Sequence, residues 1–150
     1  MQEIILKAPA KINWTLDVLR KREDGYHDIA TIMQSVAIYD EIIMKKLEKP
    51  QIYVKASTPN IPEGRANIAY RTAELMLDTF KIDGGIDIYI RKNIPTAAGM
   101  GGGSSDGAAV MLGIKEMYDI DVSLEELIKL GKNIVADIPF CIIGGTALAE

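Results

Sequence analysis

The chain has one cysteine, Cys141, and one histidine, His27, among 150 residues. A lone thiol forms no internal disulfide, which excludes a stapled extracellular scaffold and fits a reducing compartment. One Cys and one His also fall short of the four ligands of a structural zinc site. There is no basic excess: the net charge is −4, which argues against non-specific binding to nucleic acid or an anionic membrane. An anionic ligand stays open, because clustered backbone N–H groups hold phosphate inside an acidic protein. No uninterrupted apolar run approaches the roughly 18 residues of a membrane helix. Residues 1–9 carry Glu3 and Lys7 within a short apolar stretch, unlike a signal peptide. Repeats, linkers and low-complexity tracts are missing too.

What is present is a chain 48% hydrophobic and 25% charged, the profile of a soluble globular domain. At this length roughly two-thirds of the unfolded surface can be buried, enough for one core. The expectation is a cytoplasmic enzyme or binding domain, with no signal for an oligomeric state.

Ile12, Trp14, Leu16 and Val18 alternate with Asn13, Thr15 and Asp17. This period of two predicts a half-buried strand, and Glu23-Asp24-Gly25 supplies a turn after it. Residues 41–44 and 51–55 read as further strands around a Lys-rich turn ending at Pro50. Residues 58–64 hold two prolines, which cannot donate to a sheet ladder, and read as a loop. The period then lengthens: Ile68, Ala69, Ala73, Met76 and Phe80 fall near one helical face over residues 66–80. Ile86, Ile88 and Ile90 predict a strand, followed by a glycine-rich turn and a helix over residues 105–118. Ser123 to Glu126 reads as a capping box opening a short helix that stops near Gly131. Residues 141–149 are apolar with strand character, and such a strand must pair or leave a sticky edge. Strands first, then strand and helix alternating, predicts the α+β class.

The chemistry is concentrated in Pro95-Thr96-Ala97-Ala98-Gly99-Met100-Gly101-Gly102-Gly103-Ser104-Ser105, between a strand and a helix. Glycines let the backbone approach a bulky anion, and the helix after them presents free N–H groups and the positive end of its dipole. Ser104 and Ser105 add hydroxyls where a phosphate oxygen or a phosphate-bound metal would lie. A flexible turn without a ligand is the bland reading. No lysine follows the glycines as a Walker loop requires, and the third glycine of a dinucleotide fingerprint is replaced by Ser104.

The run P-T-A-A-G-M-G-G-G-S-S resembles the phosphate-binding signature of the GHMP kinases, named for galactokinase, homoserine, mevalonate and phosphomevalonate kinases. Three further segments, A-P-A-K-I-N at residues 8–13, G-Y-H-D at 25–28 and A-D-I-P-F at 136–140, narrow the likeness. They are similar to the branch that phosphorylates the 2-hydroxyl of a cytidine-diphosphate-linked methylerythritol in non-mevalonate isoprenoid synthesis. The likeness runs from Lys7 to Glu150. It implies a fold like domain 2 of ribosomal protein S5, ATP as co-substrate, Mg²⁺, and a small-molecule acceptor.

By that resemblance Lys11 lies beside the transferring phosphoryl group, where its cation stabilises charge. Asp137, an acid in the apolar run V-A-D-I-P-F, is implied to be the base that takes the hydroxyl proton; read without the family, it needs a cation partner or caps a turn before Pro139. Tyr26 and His27 are implied to recognise the cytidine, Asn13 to hydrogen-bond substrate, and Lys92 to lie along the adenosine. Val135 and Gly107 depart from the small residue and the alanine expected there. Family members are also roughly twice as long, with a second domain completing the cleft, so residues 1–150 read as the N-terminal ATP-binding domain alone. Another GHMP kinase and a non-enzymatic S5-like binding module remain as alternatives.

Overall fold

A computed structural model describes residues 3–149; Met1, Gln2 and Glu150 lie outside the described residues. Five strands form one mixed sheet. β1 (Glu3–Lys21) and β2 (His27–Leu47) make a long antiparallel hairpin. β3 (Ile52–Ala56) leads through α1 (Ile68–Thr79) to β4 (Gly85–Arg91), which runs parallel to β3 and antiparallel to β2. Then come α2 (Gly102–Met117), α3 (Leu124–Lys132), α4 (Ile138–Ile143) and β5 (Thr146–Ala149). The sheet order is β1-β2-β4-β3, with β5 also paired to β2. β2 is therefore the hub: β1 lines one edge, while β4 and β5 divide the other.

Alternation sets the core. Ile42 and Met44 of β2 and Ile86, Ile88 and Ile90 of β4 point to one face and are buried. Burial of each such side chain stabilises by roughly 1.5–3 kcal/mol. Met76 of α1, with Val110, Met111 and Ile114 of α2, packs onto that face. Caps start the helices: the Asn67 Oδ1 accepts the Ala69 N–H at 2.8 Å, and the Ser123 Oγ accepts the Glu126 N–H at 3.2 Å. This arrangement is the α+β mixed sheet expected from the sequence. Among the described residues no helix is long and apolar enough to cross a membrane.

The structure corrects four expectations. The strand at 12–18 exists but is not half-buried: Trp14, Leu16 and Val18 are 65%, 60% and 62% exposed. Its alternation is local, whereas burial needs a covering layer, and the hairpin runs on beyond the helices. The strand at 41–44 is the end of a longer one, because β2 starts at His27. The helix expected from Ser105 starts at Gly102; glycine costs least in a first turn, where packing decides. In the segment 141–149, Cys141 to Ile143 close a short helix and only Thr146 to Ala149 form the strand, which pairs with Thr31 to Gln34. Gly144 and Gly145 separate the two, both at positive φ.

One contact fixes the start of β4. A Cβ on Gly85 would overlap the carbonyl oxygens of Lys49 and Gln51, which are backbone atoms and cannot swing aside. Gly85→Ala is expected to cost roughly 1–3 kcal/mol by overpacking, read as a lower urea midpoint at unchanged m-value. An unchanged midpoint would show that this turn yields freely.

Candidate active site

The chain leaves β4 at Arg91 and enters α2 at Gly102. Both ends of the intervening loop are tied down. At its entry Asp40, fully buried on the apolar face of β2, accepts from the Asn93 N–H at 2.6 Å and the Ile94 N–H at 2.8 Å. Its other oxygen takes the Lys92 ammonium at 2.5 Å. At the exit the Lys11 N–H donates to the Met100 carbonyl at 2.9 Å. A register shift in β1 between Pro9 and Lys11 re-aims the strand at that point.

Ala97 between these ties and Gly101 just past the second both take positive φ, 59° and 68°. Ala97 holds this conformation at a cost of roughly 1–2 kcal/mol, which the ties at either end sustain. Gly101 is required twice over. It is the left-handed N-cap of α2, and a Cβ on it would come within 3.0 Å of the Lys11 Cγ and Cε. The Ser105 N–H already donates to the Gly101 carbonyl at 2.9 Å. The donors left free at this helix end are therefore those of Gly101 to Ser104, the arrangement that attracts anions.

A cleft of about 270 Å³ opens above these donors, near the lower end of small-ligand sites. Pro95, Thr96, Ala97, Ala98, Gly99, Met100, Gly101, Gly102 and Gly103 line it, with Lys92, Asp106 and the apolar Ile61, Pro62 and Ile68 opposite. Three sequence-read residues sit differently. Ser104 and Ser105 do not line the cleft, and Ser105 is 2% exposed; the earlier helix start turns Ser105 into the core. Lys92 reaches the floor but points its ammonium inward, to Asp40 and, at 3.0 Å, to Asp106.

Lys11 is buried, and its ammonium donates to the Asn13 Oδ1 at 2.8 Å and lies 3.6 Å from the Asp137 Oδ2. Asp137 thus has the cation partner its apolar surroundings call for. It occupies the N-cap position of α4 without a side-chain capping bond, so it is not a mere turn cap. Lys11, Asn13 and Asp137 are brought together beside the start of α2. Tyr26 and His27 are not among them. Both are exposed at the hairpin tip, and the hairpin between the Lys11–Ser35 and Lys21–His27 pairs spans roughly 26 Å if straight. Gly107 sits in the second turn of α2, where a Cβ would press on Ile68, Thr72 and Ile138. Val135 lies in the short link from α3 to α4, where its carbonyl accepts the Ile138 N–H at 3.3 Å.

Sequence reading missed Asp40, Asp106 and Thr31. A signal for the first was there: Asp40, Ile42 and Met44 share one face by period two, and an acid on an apolar stripe needs a partner. Burial raises the Asp106 carboxyl well above its ordinary range, Asp40 beside it adds to this, and Lys92 offsets only part. Burial pushes Asp40 up as well, but hydrogen bonds from Asp106, the Ile94 N–H, Lys92 and the Asn93 N–H outweigh it and leave Asp40 below the usual carboxylate value. Burial opposes charge on Lys92, yet the two acids together raise it. The trio is two acids around one ammonium, with Asp106 pushed up and Asp40 held down. Burial first, then the charge of Asp137, pushes the Cys141 thiol up to about 12, which keeps it inert at neutral pH.

Residues 67–145 match the family model of the GHMP kinases N terminal domain. Over 147 residues the chain is 52% identical to the 4-diphosphocytidyl-2-C-methyl-D-erythritol kinase of Caldicellulosiruptor saccharolyticus, covering 98% of this chain and 51% of that protein. Against the kinase of the same name from Acetivibrio thermocellus, identity is 49% over 150 residues, covering 100% and 53%. A crystal structure of 4-(cytidine 5'-diphospho)-2C-methyl-D-erythritol kinase superposes with a TM-score of 0.84 at 36% identity, over 97% of this chain and 51% of that one. A homoserine kinase from Cytophaga hutchinsonii, at 18% identity and a TM-score of 0.78, shares the fold. The chain spans about half the length of the curated relatives it matches.

The buried acid has a signature in solution. Unfolded, Asp106 titrates near 3.8; folded, it holds its proton to a well higher pH. Between those two values the folded chain carries a proton the unfolded chain has lost, so stability falls as pH rises through that window and then levels. Asp106→Asn removes this slope. Urea unfolding from about pH 4 upward should show wild type losing stability relative to the variant, and a difference that stays flat would count against a protonated Asp106.

Proposed function

The chain belongs to the GHMP kinases, and from that membership we propose that it forms the ATP-binding portion of a kinase that phosphorylates the 2-hydroxyl of 4-diphosphocytidyl-2-C-methyl-D-erythritol. One observation carries the reading. The free donors of Gly101 to Gly103 line the cleft, the stem of the buried Lys11 packs against Gly101, and the Asp137 carboxylate lies 3.6 Å from the Lys11 ammonium. Anion cradle, charge stabiliser and proton acceptor are the parts a phosphoryl transfer to an alcohol needs.

In this reading the helix end and the cleft-lining run from Pro95 to Gly103 hold the triphosphate. The purine lies toward Ile61, Pro62, Ile68 and the floor at Lys92. Lys11 faces the transferring phosphoryl group, and Asp137 takes the proton of the attacking hydroxyl. Tyr26, His27 and Asn13 are assigned to the acceptor substrate, the first two through its cytosine. Mg²⁺ would neutralise the charge of the phosphates. Among the described residues no group of three or more His, Cys, Asp or Glu side chains could hold it. A mode in which phosphate oxygens supply most ligands, usual for Mg²⁺, fits such a chain. The remaining length of the relatives is assigned to a second domain that completes the cleft, and the lone Cys141 fits a cytoplasmic location.

Two substitutions test separate halves of the proposal. Gly101→Val forces a β-branched side chain into left-handed backbone and onto the Lys11 stem. It should abolish ATP binding by calorimetry while helical content by circular dichroism holds; retained affinity would remove the loop from the site. Asp137→Asn, in a chain of its relatives' length, should lower turnover roughly 10²–10⁴-fold with little change in ATP affinity. Near-normal turnover would remove the base. Activity on mevalonate with none on the cytidylyl compound would overturn the acceptor assignment.

A further inference from the structure

We infer that Thr31 is a positioning residue for phosphoryl transfer, acting through Asn13 to hold the Lys11 ammonium short of Asp137. The inference rests on the proposed role of Lys11 and goes beyond it by assigning parts to two neighbours. An ammonium only donates, so the Asn13 carboxamide must turn Oδ1 toward Lys11, where the bond is 2.8 Å. That orientation sends Nδ2 to the other side, where the Thr31 Oγ1 accepts at 2.7 Å. The polarity of the chain from Lys11 through Asn13 to Thr31 is thus dictated by the cation, although amide O and N are otherwise hard to tell apart.

Thr31 is suited to be the fixed end. It is 5% exposed on β2, and its β-branched side chain is stiff at χ1. Asn13 pairs with Met33, so Thr31 is its diagonal cross-strand neighbour. By contrast, the terminal torsion of an asparagine is broad, and a lysine stem has four rotatable carbons. Without the Thr31 hydroxyl the carboxamide is free to rotate. The Lys11 ammonium then has only Asp137, now 3.6 Å away, as a charged partner. Closing that gap would spend the cation on the carboxylate and the carboxylate on the cation, to the loss of both roles. The fully satisfied alternative keeps the cation on a neutral oxygen and leaves its charge for the phosphoryl group.

The test uses a chain of its relatives' length and reads kcat, KM for ATP and the thermal midpoint together. Thr31→Val removes the hydroxyl at nearly constant shape. It should lower kcat roughly 10- to 100-fold, the scale of a misplaced catalytic group, with KM for ATP and the midpoint near wild type. Thr31→Ser restores the oxygen and should recover most of the loss. If Thr31 acts through Asn13, Asn13→Ala with Thr31→Val should be no slower than Asn13→Ala alone. Wild-type kcat in Thr31→Val overturns the inference, as do equal losses in the Val and Ser variants or fully multiplicative losses in the double variant. Should Thr31→Val not fold, Thr31→Ala is read by the same criteria. Lys11→Met separates the two levels: full activity there overturns the role of Lys11 itself, whereas its loss with an active Thr31→Val overturns only the positioning.

Discussion

The carboxylate of Asp40 is the constraint on which the site depends. It lies at zero exposure in the middle of β2 and accepts from Lys92, Asn93 and Ile94, three consecutive residues where the chain leaves β4. A buried carboxylate is tolerable only when paired and fully hydrogen-bonded, and these donors meet that condition. In return the strand dictates where the loop begins. The Lys92 ammonium is thereby brought under the first turn of α2, 3.1 Å from where a Cβ on Gly102 would be. A cation beneath the positive end of a helix is unfavourable by itself, which explains why Asp106 on α2 joins Asp40 around it. Glycine at 102 leaves the space the ammonium uses.

The far end of the loop is governed from β1. Lys11 contributes its backbone to Met100 and its side-chain stem to the underside of Gly101. One residue therefore fixes the loop and places a cation beside it. This dual use explains why the motif around Lys11 and the glycine run, distant in sequence, form one structural unit. It also explains how Ala97 stays left-handed: a short loop tied at both ends has few other ways to close, and strain persists where its surroundings over-determine it.

Much of this was legible in the sequence, and the failures share a cause. The helix at 68–79, the strand at 85–91 and the Ser123 cap announce themselves because their signals are local: periodicity and a capping side chain. The glycine run was readable because its chemistry is contiguous. Asp40, Asp106 and Thr31 were not, since each matters only through a partner far along the chain, Asp40 through residues 92–94 and Thr31 through Asn13. Exposure of Trp14, Leu16 and Val18 escaped for the converse reason. Period two reports a strand with two unlike faces; it does not report what covers either one.

Charge accounting joins these pieces. The chain carries a net −4, and the acids nearest the cleft floor outnumber the cation there. At the floor the Lys92 ammonium is shared between Asp40 at 2.5 Å and Asp106 at 3.0 Å, so its charge is used within the fold. The donors that face the cleft are the free N–H groups opening α2, and the Lys11 stem packs against Gly101 among them. Lys11 is held at 2.8 Å by the neutral Asn13 and only at 3.6 Å by Asp137, whose side chain is 42% exposed. Solvent screens the more distant carboxylate, so Asp137 offsets the Lys11 charge less than a buried contact would. Of these two lysines, Lys92 is held by two buried acids and braces the fold, whereas Lys11 has a neutral oxygen and one more distant, partly exposed carboxylate.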